Sequence, residues 1–193
     1  AGVTALLLLA VCPVTHAQLP SVDILPASGV TVTSATLNAN LTSTGSFSTV
    51  VYFFWGTNDG GMAQSAWSNE VNMGTRNVGA FSTNISGLTP STPYYYQTYA
   101  SNSAGGQWAA ATTNFVTAPP LAIDNDGGPT QVTTNSAIMR GQLLDAGGTN
   151  LADVVVFWGL VDGGTNQGAW TSSTNSYLGP RPVGVFSNSV SGL

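Results

Sequence analysis

One stretch of sequence occurs twice in this chain, and the repeat constrains the fold more than any other feature. Residues 53–61 read FFWGTNDGG and residues 156–164 read VFWGLVDGG, so that Trp55 aligns with Trp158, 103 residues apart. Further matches follow in the same order: Trp67 with Trp170, Phe81 with Phe186, and Ser86–Leu88 with Ser191–Leu193. A period near one hundred residues is the size of a domain and exceeds that of solenoid or propeller repeats. The sequence therefore predicts two tandem copies of one domain.

Each copy is patterned as β-strands. Apolar Leu37, Ala39 and Leu41 alternate with polar residues, which indicates a strand with one buried face. Val50–Trp55 and Val154–Trp158 are continuous apolar runs, as in central strands covered on both faces. About seven short strands per hundred residues, separated by turn residues, are typical of a sandwich. The predicted fold class is all-β, with tandem antiparallel β-sandwiches.

The first seventeen residues differ from the rest. Ala1–Val14 is an apolar run followed by Thr15-His16-Ala17, which predicts the remnant of a secretory signal peptide cut after Ala17. The run is too short to span a bilayer, for which about 20 residues are needed. A buried core segment and a lipoprotein anchored at Cys12 are the alternatives. Secretion to the exterior or the cell surface of a bacterium is the expected localisation.

Composition excludes several kinds of chemistry after residue 17. Cys12 and His16 are the single cysteine and the single histidine, and both lie within the predicted signal. The chain has three arginines, no lysine and a net charge of −5. A chain so poor in cations has no electrostatic footprint for nucleic acid or anionic lipid. Without imidazole or amine to activate the many hydroxyls, we expect a protein that is not an enzyme and that has no cofactor.

One segment carries a family resemblance. Residues 86–106 read SGLTPSTPYYYQTYASNSAGG and resemble the E, F and G strands of fibronectin type III domains. The matching positions are Leu88, Pro90, Tyr94, Tyr96, Ala100, Asn102 and Gly105. The resemblance implies a tyrosine corner, in which Tyr94 is buried and its hydroxyl bonds backbone near the turn 88–90. Together with the FWG and DGG motifs, the segment resembles a variant of this domain that is found in tandem in long secreted bacterial proteins.

The resemblance also implies a core. It is full over residues 22–117 and partial over 121–193. The tryptophan usual on the second strand is absent, because Leu37 and Met139 stand there. Trp55 and Trp158, on the third strand of each copy, are expected to supply the core indole instead. The predicted core residues are Trp55, Trp158, Tyr94, Leu88, Phe81 and Phe186.

The domain organisation follows from these segments. After the signal (1–17) we expect a leader (18–21), a fibronectin type III-like domain (22–117), a linker (118–121) and a second such domain (122–193). Pro119-Pro120 indicates the linker, since proline cannot donate to a sheet. The second domain is expected to be truncated, lacking strands F and G. The chain is then a fragment of a longer repeat protein or, as an alternative, receives the missing strands from a partner.

Two acidic motifs are candidate sites. Asp59-Gly60-Gly61 and its copy at residues 162–164 are interpreted as tight turns, with metal or ligand contact as the alternative. Residues 124–128 read DNDGG and suggest a calcium loop, but Gly128 and Asn135 stand where the fifth and twelfth ligands belong. An interdomain turn is the favoured interpretation, and weak calcium binding at Asp124 and Asp126 is the alternative.

Aromatic residues outside the core are candidate ligand contacts. Trp67 and Trp170 lie in polar segments and could each present an indole to a sugar ring. The favoured alternative is that each folds back onto the outer face of Phe54 or Phe157. Tyr95, Gln97 and Tyr99 are expected to face away from Tyr94, either as ordinary β surface or as a partner-binding face.

The predicted function is a non-enzymatic repeat that spaces, displays or adheres. The alternative is an accessory module, with a carbohydrate-binding role, of a secreted polysaccharide-active enzyme whose catalytic domain lies elsewhere. Carbohydrate binding by the sandwich itself through Trp67 is a third hypothesis. The expected partners are an unidentified protein or glycan and neighbouring repeats of the same chain, with no nucleic acid, no metal and no membrane span.

Overall fold

The computed structural model describes residues 18–170 and 175–193, so the predicted signal peptide lies outside the described residues. The first copy contains eight strands: β1 (Ser21–Ser28), β2 (Ser34–Ser43), β3 (Thr49–Gly56), β4 (Asn69–Arg76), β5 (Gly79–Ser86), β6 (Pro93–Asn102), β7 (Gly105–Trp108) and β8 (Thr113–Val116). The described residues of the second copy contain five: β9 (Leu121–Asp124), β10 (Ser136–Ala146), β11 (Ala152–Phe157), β12 (Asn175–Arg181) and β13 (Gly184–Ser191). The helical elements of the described residues are two single 3-10 turns, Gln64–Ala66 and Gln167–Ala169.

The strand order is that of a fibronectin type III-like sandwich. One sheet has the order β1-β2-β5, and the other has the order β4-β3-β6-β7, with β8 also paired to β6. The first, second and fifth strands thus separate from the third, sixth and seventh, as in immunoglobulin-like sandwiches. The β3–β4 and β6–β7 pairs are antiparallel. The all-β, antiparallel fold predicted from the sequence is confirmed.

The second copy repeats the same pairing. Its strands form the sheets β13-β10-β9 and β11-β12, which correspond to β5-β2-β1 and β3-β4. Even an irregularity recurs: the β3–β4 register shifts between Val50 and Tyr52, and the β11–β12 register shifts between Val154 and Val155. Both bulges contain a glycine with positive φ, Gly74 at 70° and Gly179 at 77°. Such a bulge bends β4 and β12 and makes each a poorer template for edge-to-edge pairing.

Two compact units can be distinguished. The first comprises residues up to Leu25, Asn38–Phe81 and Tyr96–Thr113, and the second comprises Pro26–Leu37, Ser82–Tyr95 and Asn114–Leu193. These units do not test the predicted domain boundaries at 22–117 and 122–193, which remain a prediction. Strand β9 begins at Leu121, so the last residue of the expected linker belongs to a strand.

In the first unit, aromatic rings join the two sheets. Phe53 of β3 is fully buried, with its ring centroid 5.2 Å from that of Phe81 and 6.5 Å from that of Tyr96. The Tyr96 hydroxyl donates a hydrogen bond to the backbone carbonyl of Leu25 in β1. Since β1 and β5 belong to one sheet and β3 and β6 to the other, these contacts pack the sheets face to face. Burial raises the pKa of Tyr96 to about 12.

In the second unit, the tyrosine corner is formed. Tyr94 is buried, its hydroxyl accepts a hydrogen bond from the Thr89 backbone N–H at 2.9 Å, and its ring stacks on Phe115 at 5.7 Å. The Thr117 hydroxyl donates to the Thr89 carbonyl at 2.7 Å, and the backbone N–H of Leu88 donates to the Thr33 carbonyl at 3.0 Å. The turn before β6 is thereby held from both sides.

The core of the second copy is smaller. Leu143, Ala146 and Ala152 form a buried cluster against which partly buried Phe186 packs. Phe186 lies directly opposite Gly141 in the β10–β13 register, and a Cβ at position 141 would collide with its ring. Gly141 has no left-handed φ, so glycine is required at this position for space.

The two indoles predicted for the core are less buried than the side chains around them, and their role as core indoles stays a prediction. Trp55 and Trp158 are only partly buried, whereas Phe53, Leu37 and Tyr96 are fully buried. Trp55 is the next-to-last residue of β3, close to the end of the strand, while the phenylalanine two residues earlier occupies the interior.

Candidate functional site

The two DGG segments form the same turn. Asp59 Oδ1 accepts a hydrogen bond from the Gly61 N–H, and Asp162 Oδ1 accepts one from the Gly164 N–H, both at 2.8 Å. Gly61 and Gly164 have φ of 56° and 55°, a conformation that glycine adopts without steric cost. The structure thus places both carboxylates in turns closed by the backbone two residues on.

Each turn holds the tryptophan that follows it. Trp67 Nε1 donates to the Gly61 carbonyl at 3.1 Å, and Trp170 Nε1 donates to the Gly164 carbonyl at 3.3 Å. The ring of Trp67 lies against Gly60, where a Cβ would come within 2.7 Å of the indole. Trp67 is only 8% exposed, so little of its surface is free for a sugar ring. A ligand contact through this side chain, which the sequence suggested, therefore has no support in its placement.

Trp170 is more open than its counterpart. It is partly exposed, and its ring centroid lies 6.3 Å from that of Phe157 in a stacked arrangement. The stacking matches the alternative interpretation, in which the indole folds onto the preceding strand. Ligand contact at Trp170 stays a prediction.

A hydrogen bond connects the first DGG turn to the segment that precedes β8. The Thr112 hydroxyl donates to Asp59 Oδ2 at 2.8 Å. Asp59 follows β3, and Thr112 precedes β8, strands that flank β6 in the sheet. Both oxygens of the Asp59 carboxylate are therefore engaged, one by its own turn and one by the segment that precedes β8.

The outer face of β3, β6 and β7 carries a cluster of aromatic rings. The Tyr52 centroid lies 6.2 Å from both Phe54 and Tyr99, and Trp108 lies 5.1 Å from Phe54 and 4.9 Å from Tyr99. Phe54 is buried, but the other three rings are partly exposed. We call Tyr52, Tyr99 and Trp108 the ring row. Its members lie side by side on three neighbouring strands of the first unit.

The outward residues of β6 do not all reach the surface. The sequence placed Tyr95, Gln97 and Tyr99 on this outer face, but Gln97 is only 1% exposed. Its Nε2 donates to the Ala109 carbonyl at 3.3 Å, and its Oε1 accepts from the Thr98 N–H at 3.0 Å. The expectation of an exposed Gln97 is corrected, because the chain that follows β7 covers this side chain.

Sequence reasoning missed two members of the ring row. Tyr52 was absorbed into the apolar run of β3, and Trp108 follows the resembling segment by two residues. The signal was present: Tyr52 and Phe54 alternate with Val51 and Phe53, which assigns them to opposite faces. Only the pairing of Tyr99 with Trp108 across β6 and β7 shows that these rings meet.

The acidic segment before β10 forms a turn with an ion pair. Asp124 Oδ1 accepts a hydrogen bond from the Asp126 N–H at 2.9 Å, and Asp126 pairs with Arg140 at 2.6 Å. An arginine beside the second carboxylate offsets the charge that a calcium ion would need. Within residues 18–170 and 175–193, no group of three or more His, Cys, Asp or Glu side chains is arranged to hold a metal.

Two further carboxylates are engaged locally. Asp145 Oδ1 accepts from the Gly147 N–H at 2.8 Å. Asp153 Oδ1 accepts from the Tyr177 hydroxyl at 2.8 Å, and this hydrogen bond raises the pKa of the exposed Tyr177 phenol. These acids stabilise turns and neighbouring strands of the second copy.

Comparisons with known proteins give similarity at low identity. No protein-family model matches the chain, and no curated protein matches it significantly. The sensor domain of the anti-sigma factor RsgI4 of Pseudobacteroides cellulosolvens is 18% identical, with 54% of this chain and 99% of that one covered and a TM-score of 0.38. A two-domain fibronectin type III segment of chicken tenascin is 14% identical, with 91% and 84% covered and a TM-score of 0.35. Chicken CNTN1 FN1–FN3 is 11% identical, with 88% and 54% covered and a TM-score of 0.34.

The class of protein is defined by this chain's own strand order and tyrosine corner. Both copies are built from fibronectin type III-like sheets. In the part of the chain that the structure describes, no helix is both long and apolar enough to cross a bilayer.

Proposed function

We propose that this chain is a non-enzymatic part of a secreted or cell-surface repeat protein, in which sandwich domains at 22–117 and 122–193 space, display or adhere. The observation that carries the proposal is the duplication of structural contacts. Three features occur in both copies: the turn closed by the aspartate of DGG, the hydrogen bond from the following tryptophan to that turn, and the bulge between the third and fourth strands. A fourth pair is the bond between the Thr31 and Ser34 hydroxyls at 2.7 Å, matched by that between Thr133 and Ser136 at 2.7 Å.

Such duplication preserves the rigidity of a unit. In both copies the recurring residues hold turns and strand ends, which fits selection for a repeated structural unit. Arginine is used in the same way: Arg76 Nε donates to the Met73 carbonyl and Arg181 Nε donates to the Leu178 carbonyl, both at 3.2 Å. Six of the eight acidic residues of the sequence have hydrogen-bond or ion-pair partners, which supports a structural use of charge: Asp59, Asp124, Asp126, Asp145, Asp153 and Asp162.

The proposed bacterial secretion is tested on the natural gene product. We expect the mature protein to begin at Gln18, to be recovered outside the cytoplasm, and to be removed from intact cells by an added protease if it is held at the surface. Mass spectrometry of the recovered protein gives its first residue. Recovery in the cytoplasm with residues 1–17 still attached would contradict the proposal.

A further inference from the structure

The ring row is left open where the rest of its sheet face is covered. Phe54 and Gln97 share the outer face with it and are buried, the latter beneath Ala109. Tyr52, Tyr99 and Trp108 retain exposed surface beside them. The fold therefore covers one part of this face and leaves a strip of aromatic surface about three strands wide.

The Tyr99 ring occupies space that a side chain at position 106 would fill. A Cβ at Gly106 would collide with the Tyr99 hydroxyl and ring. The φ of Gly106 lies outside the left-handed region, so the backbone does not require glycine at this position. The phenol lies across the β7 backbone, next to Trp108, which pairs with Tyr99 directly. Glycine at position 106 thus allows the ring of Tyr99 to lie against the sheet.

The charge and polarity of the face restrict what it can bind. Asn72 lies opposite Tyr52 and Glu70 lies opposite Phe54 on the edge strand β4, so the ring row is bordered by an amide and a carboxylate. Arg76 lies opposite Thr49, on the other face of the sheet. An aromatic surface with a carboxylate and no cation beside it disfavours polyanions.

From these features we infer that the ring row binds a neutral polysaccharide. The CH faces of sugar rings stack on aromatic side chains, and their hydroxyls match the Tyr52 and Tyr99 phenols and the Asn72 amide. Neighbouring ring centroids in the row are 6.2 and 4.9 Å apart, so the three rings form one contiguous aromatic strip. The inference rests on the proposed non-enzymatic role, deepens it by naming the class of partner, and replaces Trp67 with Trp108 as the principal indole.

The test is a binding titration on residues 18–193. The probes are hydroxyethyl cellulose, xylan, galactomannan and dextran, with polygalacturonate as the anionic control, and binding is followed by affinity electrophoresis and by tryptophan fluorescence. We expect at least one neutral polymer to bind and the polyanion not to bind. Trp108→Ala should weaken binding roughly tenfold or more, as for an aromatic hot spot. Gly106→Ala should also weaken it, because it displaces Tyr99 while keeping every ring.

Matched variants separate binding from folding. Tyr177→Ala removes an exposed ring from β12 of the second copy and should leave binding unchanged. Trp108→Phe keeps an aromatic ring and should retain part of the affinity. It takes the place of Trp108→Ala in the test if circular dichroism shows that the alanine variant is unfolded. Failure of all four neutral polymers to bind would overturn the inference, as would unchanged binding in Trp108→Phe and Gly106→Ala.

Two other outcomes are distinguishable in the same samples. If the chain self-associates through this face, sedimentation will show a dimer that Trp108→Ala dissociates, and the occupant is a second copy rather than a sugar. Release of reducing ends from any polymer would overturn the proposed non-enzymatic function, while leaving binding at the ring row intact. If no polysaccharide binds and no reducing ends are released, the inference is contradicted and the proposed non-enzymatic function is not.

Discussion

At the residue scale, the interior depends on rings that lie between the sheets. Phe53 contacts both Phe81 and Tyr96, while Trp55 at the end of the same strand keeps part of its surface exposed. The free energy lost on truncation depends on the apolar surface buried and on the cavity left behind. The smaller phenylalanine is therefore expected to contribute more to stability than the larger tryptophan.

We expect Phe53→Ala to lower the free energy of unfolding by about 3–5 kcal/mol. Trp55→Ala should cost less, because part of the surface of this residue is already exposed to solvent. Both values come from chemical denaturation followed by circular dichroism. An equal or greater loss in Trp55→Ala would show that the indole, and not the phenylalanine, organises the interior.

Tyr96 gives a prediction for alkaline pH. Its folded-state pKa of about 12 lies above the ordinary tyrosine value of 10.0, so the folded state holds the phenolic proton more tightly than the unfolded state. The resulting stability is fully present below pH 10 and is lost as the pH rises toward 12. One proton gives a slope of at most about 1.4 kcal/mol per pH unit.

The measurement is urea unfolding across this pH range for the unaltered chain and for Tyr96→Phe. We expect a shallower decline in the variant, although its stability at neutral pH is lower because the bond to the Leu25 carbonyl is gone. Parallel declines in the two proteins would indicate that Tyr96 ionises as freely in the folded state as in the unfolded one.

At the element scale, the loop after β3 is organised by its glycines. Gly61 supplies a positive φ, whereas Gly60 leaves room for the Trp67 ring that lies on it. The two adjacent glycines therefore serve different purposes, one conformational and one steric. The same pair recurs at Gly163 and Gly164, with Trp170 in the place of Trp67.

Gly60→Ala should displace the Trp67 indole, because its Cβ would lie 2.7 Å from the ring. We expect a red shift in tryptophan emission and a loss of about 1–3 kcal/mol, the usual cost of overpacking. Ser65→Ala, an exposed position in the same loop, is the matched control and should leave both quantities unchanged. Unaltered emission in Gly60→Ala would contradict the described seating of Trp67.

At the scale of the whole molecule, the fold has no covalent crosslink among its described residues to hold it. The only cysteine of the sequence is Cys12, so stability comes from burial, hydrogen bonds and turn geometry. The first copy contains both sheets of a sandwich and the tyrosine corner. It should therefore fold by itself if the predicted boundary near residue 117 is correct.

We expect residues 18–118 to unfold in a single cooperative transition, with a native-like near-ultraviolet spectrum. Ala118 is retained because its N–H donates to the Thr31 carbonyl at 3.0 Å. Thermal and denaturant unfolding by two spectroscopic probes give the measurement. A molten or aggregated product would place the boundary of the folding unit elsewhere.

The sequence by itself determined the elements of this protein and their duplication. Three signals depend only on local sequence: the period-two alternation in β2, the apolar run of β3 and the turn motif at Asp59. Each can be recognised in a short window of the chain. The tyrosine corner was also accessible, since Tyr94 and Thr89 lie five residues apart.

Only the tertiary structure decided which aromatic side chains are buried and which remain exposed. Trp55, Trp67 and Trp108 all lie next to glycine-rich or polar segments, yet they differ in exposure because the chain packs differently around each. Trp67 is buried by the loop that folds beneath it, Trp55 stands near a strand end, and Trp108 meets Tyr99 through strand pairing. Burial is a property of the packed molecule, because the surface that covers a side chain comes from residues that no local pattern brings together.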